Sequence, residues 1–478
     1  MATGDPIRRL GGILRERGFT EGGLEQALAG LTPDTAESLR TVHPPGDERL
    51  APLVELFGFG LPVAVERVAG ALAPLEVALL DAEGLVREHA GLVSAPLRIT
   101  PFAGFLLLHD PWSRAQLPRD YVGGPSEAAE TLAQLTIRRP SASALDLGTG
   151  CGVQALSASR HVDRVLATDL NPRACAFAEL NVRLNGVENV ELRSGDLFEP
   201  VGGERFDLIV ANPPYVISPA SDLLFRDSGL APGELCGTVL AEAARHLRVG
   251  GFACVLVNWA TNGSAGRWDV PRSWTQERGC DVCAFSFGPE PVLPYAARWS
   301  EPPASADDQA HAEEVRRWLA FYEQSDIDTI WFGGLVLRRR EGPNWFRAID
   351  LGSAGSGSGA DHIARIFEAT DFLEADPELG EARFAPAPGS RLTHVLEHSG
   401  EGFELGEATV ALAEGLGIRG RIDPLAVHVL VQLDGQRRLS EVVDAVAAER
   451  GLERPALAEE SFETVSRLYG LGLLDRPG

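Results

Sequence analysis

Two short stretches carry residues whose types and spacing can do chemistry. The first is Ala144-Leu145-Asp146-Leu147-Gly148-Thr149-Gly150-Cys151-Gly152, an apolar run that enters a tight glycine turn. The second is Ala211-Asn212-Pro213-Pro214-Tyr215, the end of another apolar run, which delivers an amide and an aromatic ring to one point. Glycines let a chain turn sharply and let a ligand approach the backbone closely. A dinucleotide site would pair such a turn with G-x-G-x-x-G spacing, to seat a pyrophosphate on the following helix. Here the spacing is Gly148-x-Gly150-x-Gly152, and Asp146 stands just before it. A carboxylate there repels a pyrophosphate and attracts an ammonium or a sulfonium.

S-adenosyl-L-methionine carries both cations and is the expected cofactor, leaving S-adenosyl-L-homocysteine as product. Two further acids follow in order. Asp169, followed by Leu170, closes the next apolar run and is placed to accept hydrogen bonds from ribose hydroxyls. Asp196 lies after the third run, placed for an adenine amino group, with Leu197 to pack on the ring. Thr149 and the backbone of Gly148 and Gly150 complete the cradle. Asn212 borders both cofactor and acceptor.

The Asn-Pro-Pro-Tyr stretch suits a planar nitrogen as methyl acceptor. A planar NH2 group is a poor nucleophile because its lone pair is delocalised. The Asn212 side-chain oxygen and the Pro213 carbonyl can draw both N–H bonds and free that pair. Pro213 and Pro214 stiffen the loop and hold the preceding residue extended. Tyr215 can stack on the flat acceptor. Positioning supplies much of the rate in such a transfer, and no strong base is needed, because the proton leaves after attack.

These residues need a framework that ends several strands at one edge. Residues 143–147, 163–169, 190–194, 206–211 and 251–257 read as strands, with helices at 153–160, 172–184 and 233–247 between them. Such alternation implies a doubly wound, Rossmann-like parallel sheet of the α/β class. Residues 281–287 and 328–338 read as closing strands, separated by a polar insertion rich in Pro, Ala and Glu. The expected domains are a mostly helical N-terminal one with a small wing (1–108), the sheet domain (109–350), a Gly/Ser linker (351–360) and a C-terminal α+β domain (361–478). Within the first, Ile13, Leu14, Leu24, Ala27, Leu28 and Leu31 recur at helical spacing, residues 63–80 read as a second helical stretch, and strands are expected near 84–87 and 95–100. The last domain holds 22 acids against 11 arginines, expects helices near 440–449 and 457–468, and resembles small winged-helix peptide-binding modules. Ser440 with Asp444 is read as a helix start.

The 478-residue chain has a net charge of −25, which disfavours broad, non-specific contact with nucleic-acid phosphates. Its six cysteines are scattered rather than framed for disulfides, and no apolar run is long enough to span a bilayer, so the expected setting is the cytoplasm. No metal site is expected. His394-Val395-Leu396-Glu397-His398 matches a zinc-protease pattern only if helical, whereas its neighbours suggest a strand. Cys280 and Cys283 form a lone C-x-x-C without a second pair.

On these residues the chain resembles the class I S-adenosylmethionine-dependent methyltransferases. Within them it looks like the amino-methyltransferase branch of HemK-type protein glutamine methyltransferases and adenine- or guanine-specific N-methyltransferases. The resemblance covers roughly residues 115–260. It implies that Asp146, Gly148, Gly150, Asp169, Asp196 and Leu197 hold the cofactor, and that Asn212, Pro213 and Tyr215 hold the acceptor. It also implies a loop over the cofactor at residues 119–124, which would bring Tyr121 to it. The acceptor is expected to be a protein or peptide amide or an RNA base, with a small molecule, or a non-catalytic cofactor-binding role, as alternatives. One departure stands out: where HemK-type enzymes carry a Glu-Pro pair, this chain reads Leu224-Phe225-Arg226-Asp227-Ser228-Gly229, so that Arg226 and Asp227 are candidates to meet groups flanking the acceptor.

Overall fold

The computed structural model describes residues 4–28, 48–112, 117–219, 223–227, 229–263, 266–300, 308–351, 357–398 and 402–477. Leu31, Ser228 and most of the Gly/Ser run lie outside them. The chain folds as two compact units. One comprises residues 1–132, 139–282 and 289–346, the other residues 133–138, 283–288 and 347–478.

In the first unit, helix α1 (Pro6–Glu16) starts on Asp5, whose side chain accepts from the Ile7 N–H, and it buries Ile7, Leu10, Ile13 and Leu14. The helical stretch expected over 63–80 is broken. Val63–Ala64 is a short strand, and helices Val65–Leu72 and Val77–Ala82 flank Pro74. Pro74 has no N–H to donate and forces the residue before it out of helical geometry. The expected wing consists of Arg87–His89 and Leu92–Ser94, joined by Val63–Ala64, and a separate hairpin of Arg98–Phe102 with Phe105–His109 follows.

The central sheet has eight strands: β1 (Ser141–Leu147), β2 (Val162–Asp169), β3 (Val190–Ser194), β4 (Phe206–Ala211), β5 (Leu247–Thr261), β6 (Cys280–Pro291), β7 (Thr329–Arg339) and β8 (Phe346–Asp350). Their spatial order is β8-β6-β7-β5-β4-β1-β2-β3. Strands β3, β2, β1, β4 and β5 run parallel, and β7 is antiparallel to β5. Helices cover both faces of the parallel part, so these strands read as unbroken apolar runs; Ala144, Leu145, Val165, Leu166, Ala167, Ile209 and Ala211 are fully buried. Helices α2 (Val153–Ala158), α3 (Pro172–Asn185) and α4 (Glu234–His246) follow β1, β2 and β4. Helix α3 begins where Asn171 accepts from the Arg173 N–H with proline in the first turn, and it ends on Gly186 in the left-handed region.

The insertion between β6 and β7 is helical. Helices α5 (Val292–Trp299) and α6 (Asp308–Gln324) occupy most of it. Its composition suggested a polar loop, yet Val315, Trp318, Leu319 and Tyr322 repeat at helical spacing and turn one face inward.

The second unit has helices Ala360–Glu374, Pro424–Leu430, Leu439–Arg450 and Arg454–Gly470. Its antiparallel sheet is β9 (Ser390–His398), β10 (Phe403–Leu412) and β11 (Arg419–Ile422), in that order. The helix expected from Ser440 starts instead at Leu439. Glu441 accepts from the Arg438 N–H at 2.9 Å, and the Ser440 hydroxyl donates to the Gly380 carbonyl at 2.8 Å.

Candidate active site

The cradle forms where β1 runs out. Gly148, Gly150 and Gly152 all have positive φ, and the N–H groups of Gly148 and Thr149 both donate to the Thr168 carbonyl at 2.9 Å. At Gly152 (φ 86°) a side chain would also strike Ala178 of α3 at 3.2 Å, so glycine is needed for the approach of helix to turn. At Gly148 and Gly150 an added Cβ would meet nothing within 4 Å, so this side of the turn faces open space.

Asp146 points inward, into the turn. It is 2% exposed, and its Oδ2 accepts from the Thr149 hydroxyl at 2.6 Å and the Ala155 N–H at 2.9 Å. It therefore ties the turn to the start of α2. Burial pushes its carboxyl up to about 7, against the pull of those two donors. Asp169 grips the turn from β2: Oδ2 accepts from the Gly150 N–H and Oδ1 from the Asn171 N–H, each at 2.8 Å. Burial raises its pKa, and the same two N–H groups oppose the rise. Leu170 is exposed. The Gly195 N–H donates to the Asp169 carbonyl at 3.0 Å, which draws the next loop alongside. In that loop Asp196 is exposed, and Leu197 is half-buried with φ 43°.

Residues 119–124 are lashed to the end of β2. The Asp120 carbonyl accepts from Asn171 Nδ2 at 2.9 Å and from Arg173 at 3.3 Å. Tyr121 is buried, 6.1 Å from the Trp112 ring and 5.5 Å from the Phe225 ring, and burial lifts its hydroxyl to about 12.

The acceptor stretch leaves the sheet beside the cradle, because Leu147 of β1 pairs with Ala211 of β4. Asn212 is half-buried, and its side chain has no hydrogen-bond partner among the described residues. Pro213 is buried, and Pro214 and Tyr215 are half-buried. The Tyr215 ring lies 5.5 Å from Phe332, and burial raises its hydroxyl's pKa. An open cleft beside this stretch is lined by Pro214, Tyr215, Ile217, Leu230, Cys236 and Phe321.

Two tyrosines from the helical insertion hold the peptide groups just beyond. The Ile217 N–H donates to Tyr295 Oη at 3.2 Å, and the Ile217 carbonyl accepts from Tyr322 Oη at 2.8 Å. Asn258, buried at the end of β5, donates to the same Tyr295 oxygen at 2.9 Å. Its neighbour Trp259 is also buried and donates to the Arg267 carbonyl. Arg226 and Asp227 do not face the acceptor as free groups. They pair with each other at 2.8 Å, and Asp227, its side chain fully buried, also accepts from the Ser218 hydroxyl and the Leu223 N–H. The pair braces the loop after residue 215, and Arg226 also donates to the Trp299 carbonyl at 3.0 Å.

The motifs did not reveal Asn181 of α3, Tyr295 or Tyr322. Asn181 is fully buried: its Oδ1 accepts from the Leu108 N–H, and its Nδ2 donates to the carbonyls of Leu108 and Cys151, so it fastens the glycine turn to the hairpin. An asparagine on the otherwise apolar face of α3 is its one sequence signal. The C-terminal histidines lie on strand β9, and among the described residues no group of His, Cys, Asp or Glu is arranged to hold a metal ion. All six cysteines are free. No helix among the described residues is long and apolar enough to cross a membrane.

A parallel sheet with β1 between β4 and β2, a glycine turn after β1, acids after β2 and β3, and a reversed strand beside β5 define the fold of the class I S-adenosylmethionine-dependent methyltransferases. Residues 126–263 match the family model of the methyltransferase small domain, and residues 364–476 match a domain of unknown function (DUF7782). Within its class the central domain is HemK-like. It is 34% identical over 154 residues to a release factor glutamine methyltransferase of Xylella fastidiosa, which covers 28% of this chain and 55% of the relative. It is 38% identical over 103 residues to the release factor glutamine methyltransferase of Geobacter sulfurreducens, covering 21% and 35%. It is 35% identical over 164 residues to a ribosomal protein uL3 glutamine methyltransferase of Bradyrhizobium diazoefficiens, covering 30% and 50%. The chain thus spans about half the length of the first of these relatives.

Proposed function

We propose that this protein is an S-adenosylmethionine-dependent N-methyltransferase whose acceptor is a planar side-chain amide, that of glutamine, in a protein. The observation that carries the reading is the pairing of Leu147 with Ala211, which sets the glycine turn and Asn212 side by side at the carboxyl ends of two central strands. The residues present fit the cofactor: the turn faces open space at Gly148 and Gly150, and Asp169 borders it, half-buried.

When bound, S-adenosylmethionine supplies a methyl group on a cationic sulfur. Each Asp169 oxygen keeps lone-pair capacity beyond its one backbone N–H, enough for ribose hydroxyls. Asp196 would meet the adenine amino group and Leu197 its ring, with Leu170, Thr149 and the 119–124 segment carrying Tyr121 at the margins. Asp146 would act one step back, by holding Thr149 and the start of α2 in place. Asn212 Oδ1 and the Pro213 carbonyl would accept the two N–H bonds of the acceptor amide and localise its lone pair, with Pro214 fixing the turn and Tyr215 walling the site. The proton then leaves to water. Relatives named as glutamine methyltransferases favour an amide over a nucleobase, and the net charge of −25 agrees. Six free cysteines fit a reducing cytoplasm. Residues 109–350 would be the catalytic domain, and residues 1–108 and 361–478 would engage the acceptor protein.

The test uses methyl-labelled cofactor with protein, RNA and metabolite fractions of an extract. Label should appear in protein as N-methylglutamine. Asn212→Ala should bind cofactor in calorimetry as wild type does but transfer nothing. Label confined to RNA would exclude the glutamine acceptor, and undiminished transfer by Asn212→Ala would exclude the assigned pocket.

A further inference from the structure

The C-terminal unit carries a long and exposed edge strand. Strand β9 is nine residues long and, among the described residues, pairs on one side only, with β10; β11 lies beyond β10. Eight of its nine residues are exposed, among them Leu392, Val395 and Leu396 at 39%, 47% and 58%. Folded proteins blunt such edges with proline, charged side chains, a bulge or a covering element. Strand β9 contains no proline, and its two charged residues, Arg391 and Glu397, are of opposite sign, so they do not repel a strand that pairs them with each other. The one irregularity of the hairpin falls on β10, where His394 pairs with Ala408 and Leu396 with Leu405, so the extra residue is on the partner strand and β9 itself stays regular. Its outer row of N–H and C=O groups is a template for another strand.

We propose that this edge pairs with the same edge of a second copy of the chain, antiparallel about His394, to make one continuous six-stranded sheet. The sequence Ser390-Arg391-Leu392-Thr393-His394-Val395-Leu396-Glu397-His398 is self-complementary in that register. Arg391 falls opposite Glu397 of the second copy and Leu392 opposite Leu396, and the twofold axis supplies each pair twice. Thr393 meets Val395. Residues that face each other across the axis have the same parity, so both copies keep the same faces of the sheet. Moving the register by two residues in either direction removes both the Arg–Glu and the Leu–Leu pairs. Among the described residues neither Arg391 nor Glu397 has an ion-pair partner within its own chain, so both are available. Opposite charges and apolar side chains directly across a strand pair stabilise it, and like charges there oppose it. A closed twofold pairing also removes the exposed edge, where a different partner would leave it open on free molecules. The proposal concerns assembly and does not depend on the methyl acceptor.

The experiment is sedimentation equilibrium of the full chain across a concentration series. Wild type should dimerise. Arg391→Glu should weaken the dimer by about tenfold or more, because it sets two like-charge pairs across the axis, and Glu397→Arg should do the same. The double variant, Arg391→Glu with Glu397→Arg, should recover the wild-type dimer. Both positions are exposed, and circular dichroism checks that each variant is folded. A wild-type monomer at every concentration overturns the proposal. So does a dimer indifferent to the single charge reversals, which would place the interface elsewhere, and so does a double variant that stays monomeric.

Discussion

Replacing Asp146 by asparagine should make the protein's stability less dependent on pH, and the size of the effect follows from the turn it occupies. Asparagine keeps an oxygen for the Thr149 hydroxyl and the Ala155 N–H but never ionises. In the wild type, burial raises the carboxyl from its ordinary 3.8 to about 7. A group raised in this way contributes stability that is fully present below the unfolded-state value and is lost as pH rises through the folded-state one. A rise of about three units corresponds to roughly 4 kcal/mol between the two limits. From pH 5 to pH 8 the wild type should therefore lose about 2–3 kcal/mol relative to the asparagine variant. Any fixed penalty of the substitution cancels in that difference, and every other titrating group is common to both proteins. Urea unfolding at both pH values, with equal slopes in the two proteins, reads it directly. A stability difference that stays constant from pH 5 to pH 8 would show that the carboxyl is not held neutral by burial and would refute the reasoning.

Asn181→Ala should destabilise the protein by about 3 kcal/mol or more, since it leaves the Leu108 N–H and the carbonyls of Leu108 and Cys151 without their partner; a loss under about 1 kcal/mol in urea unfolding would contradict the count. Arg226→Ala should lose about 3–5 kcal/mol, because the fully buried Asp227 side chain is left without its cation. That loss should shrink in an Arg226→Ala, Asp227→Asn double variant, and equal stability of the two variants would rule out an unpaired charge as the cause.

The parallel sheet and its glycine turn were legible because strands buried on both faces must be apolar along their length, and because a turn of three left-handed residues admits little but glycine. The end of β4 was legible for a similar reason: two prolines after an asparagine leave few conformations. What Asp146 does was not legible. Its position before the glycines is compatible with facing a ligand or facing the turn, and only the hydrogen bonds to Thr149 and Ala155 decide. The roles of Arg226 and Asp227 depended in the same way on which neighbours the loop brought within reach, and they found each other. The insertion between β6 and β7 was hidden by its composition, because Pro, Ala and Glu dominate the count while four spaced apolar residues carry the packing. Helix boundaries near Pro74 and Ser440 moved for local reasons, a missing N–H in one and a reaching glutamate in the other.

The two tyrosines on Ile217 divide responsibility for the two halves of the site. Strands β1 and β2 hold the cradle with their own turns and carboxylates, whereas the segment after Tyr215 has its amide and carbonyl satisfied by side chains from an appendage spliced between the last long strands. Substitutions within that appendage can therefore shift the segment beyond Tyr215 while the glycine turn stays as it was. Such a division lets one part of the sheet's carboxyl end change shape without rebuilding the other.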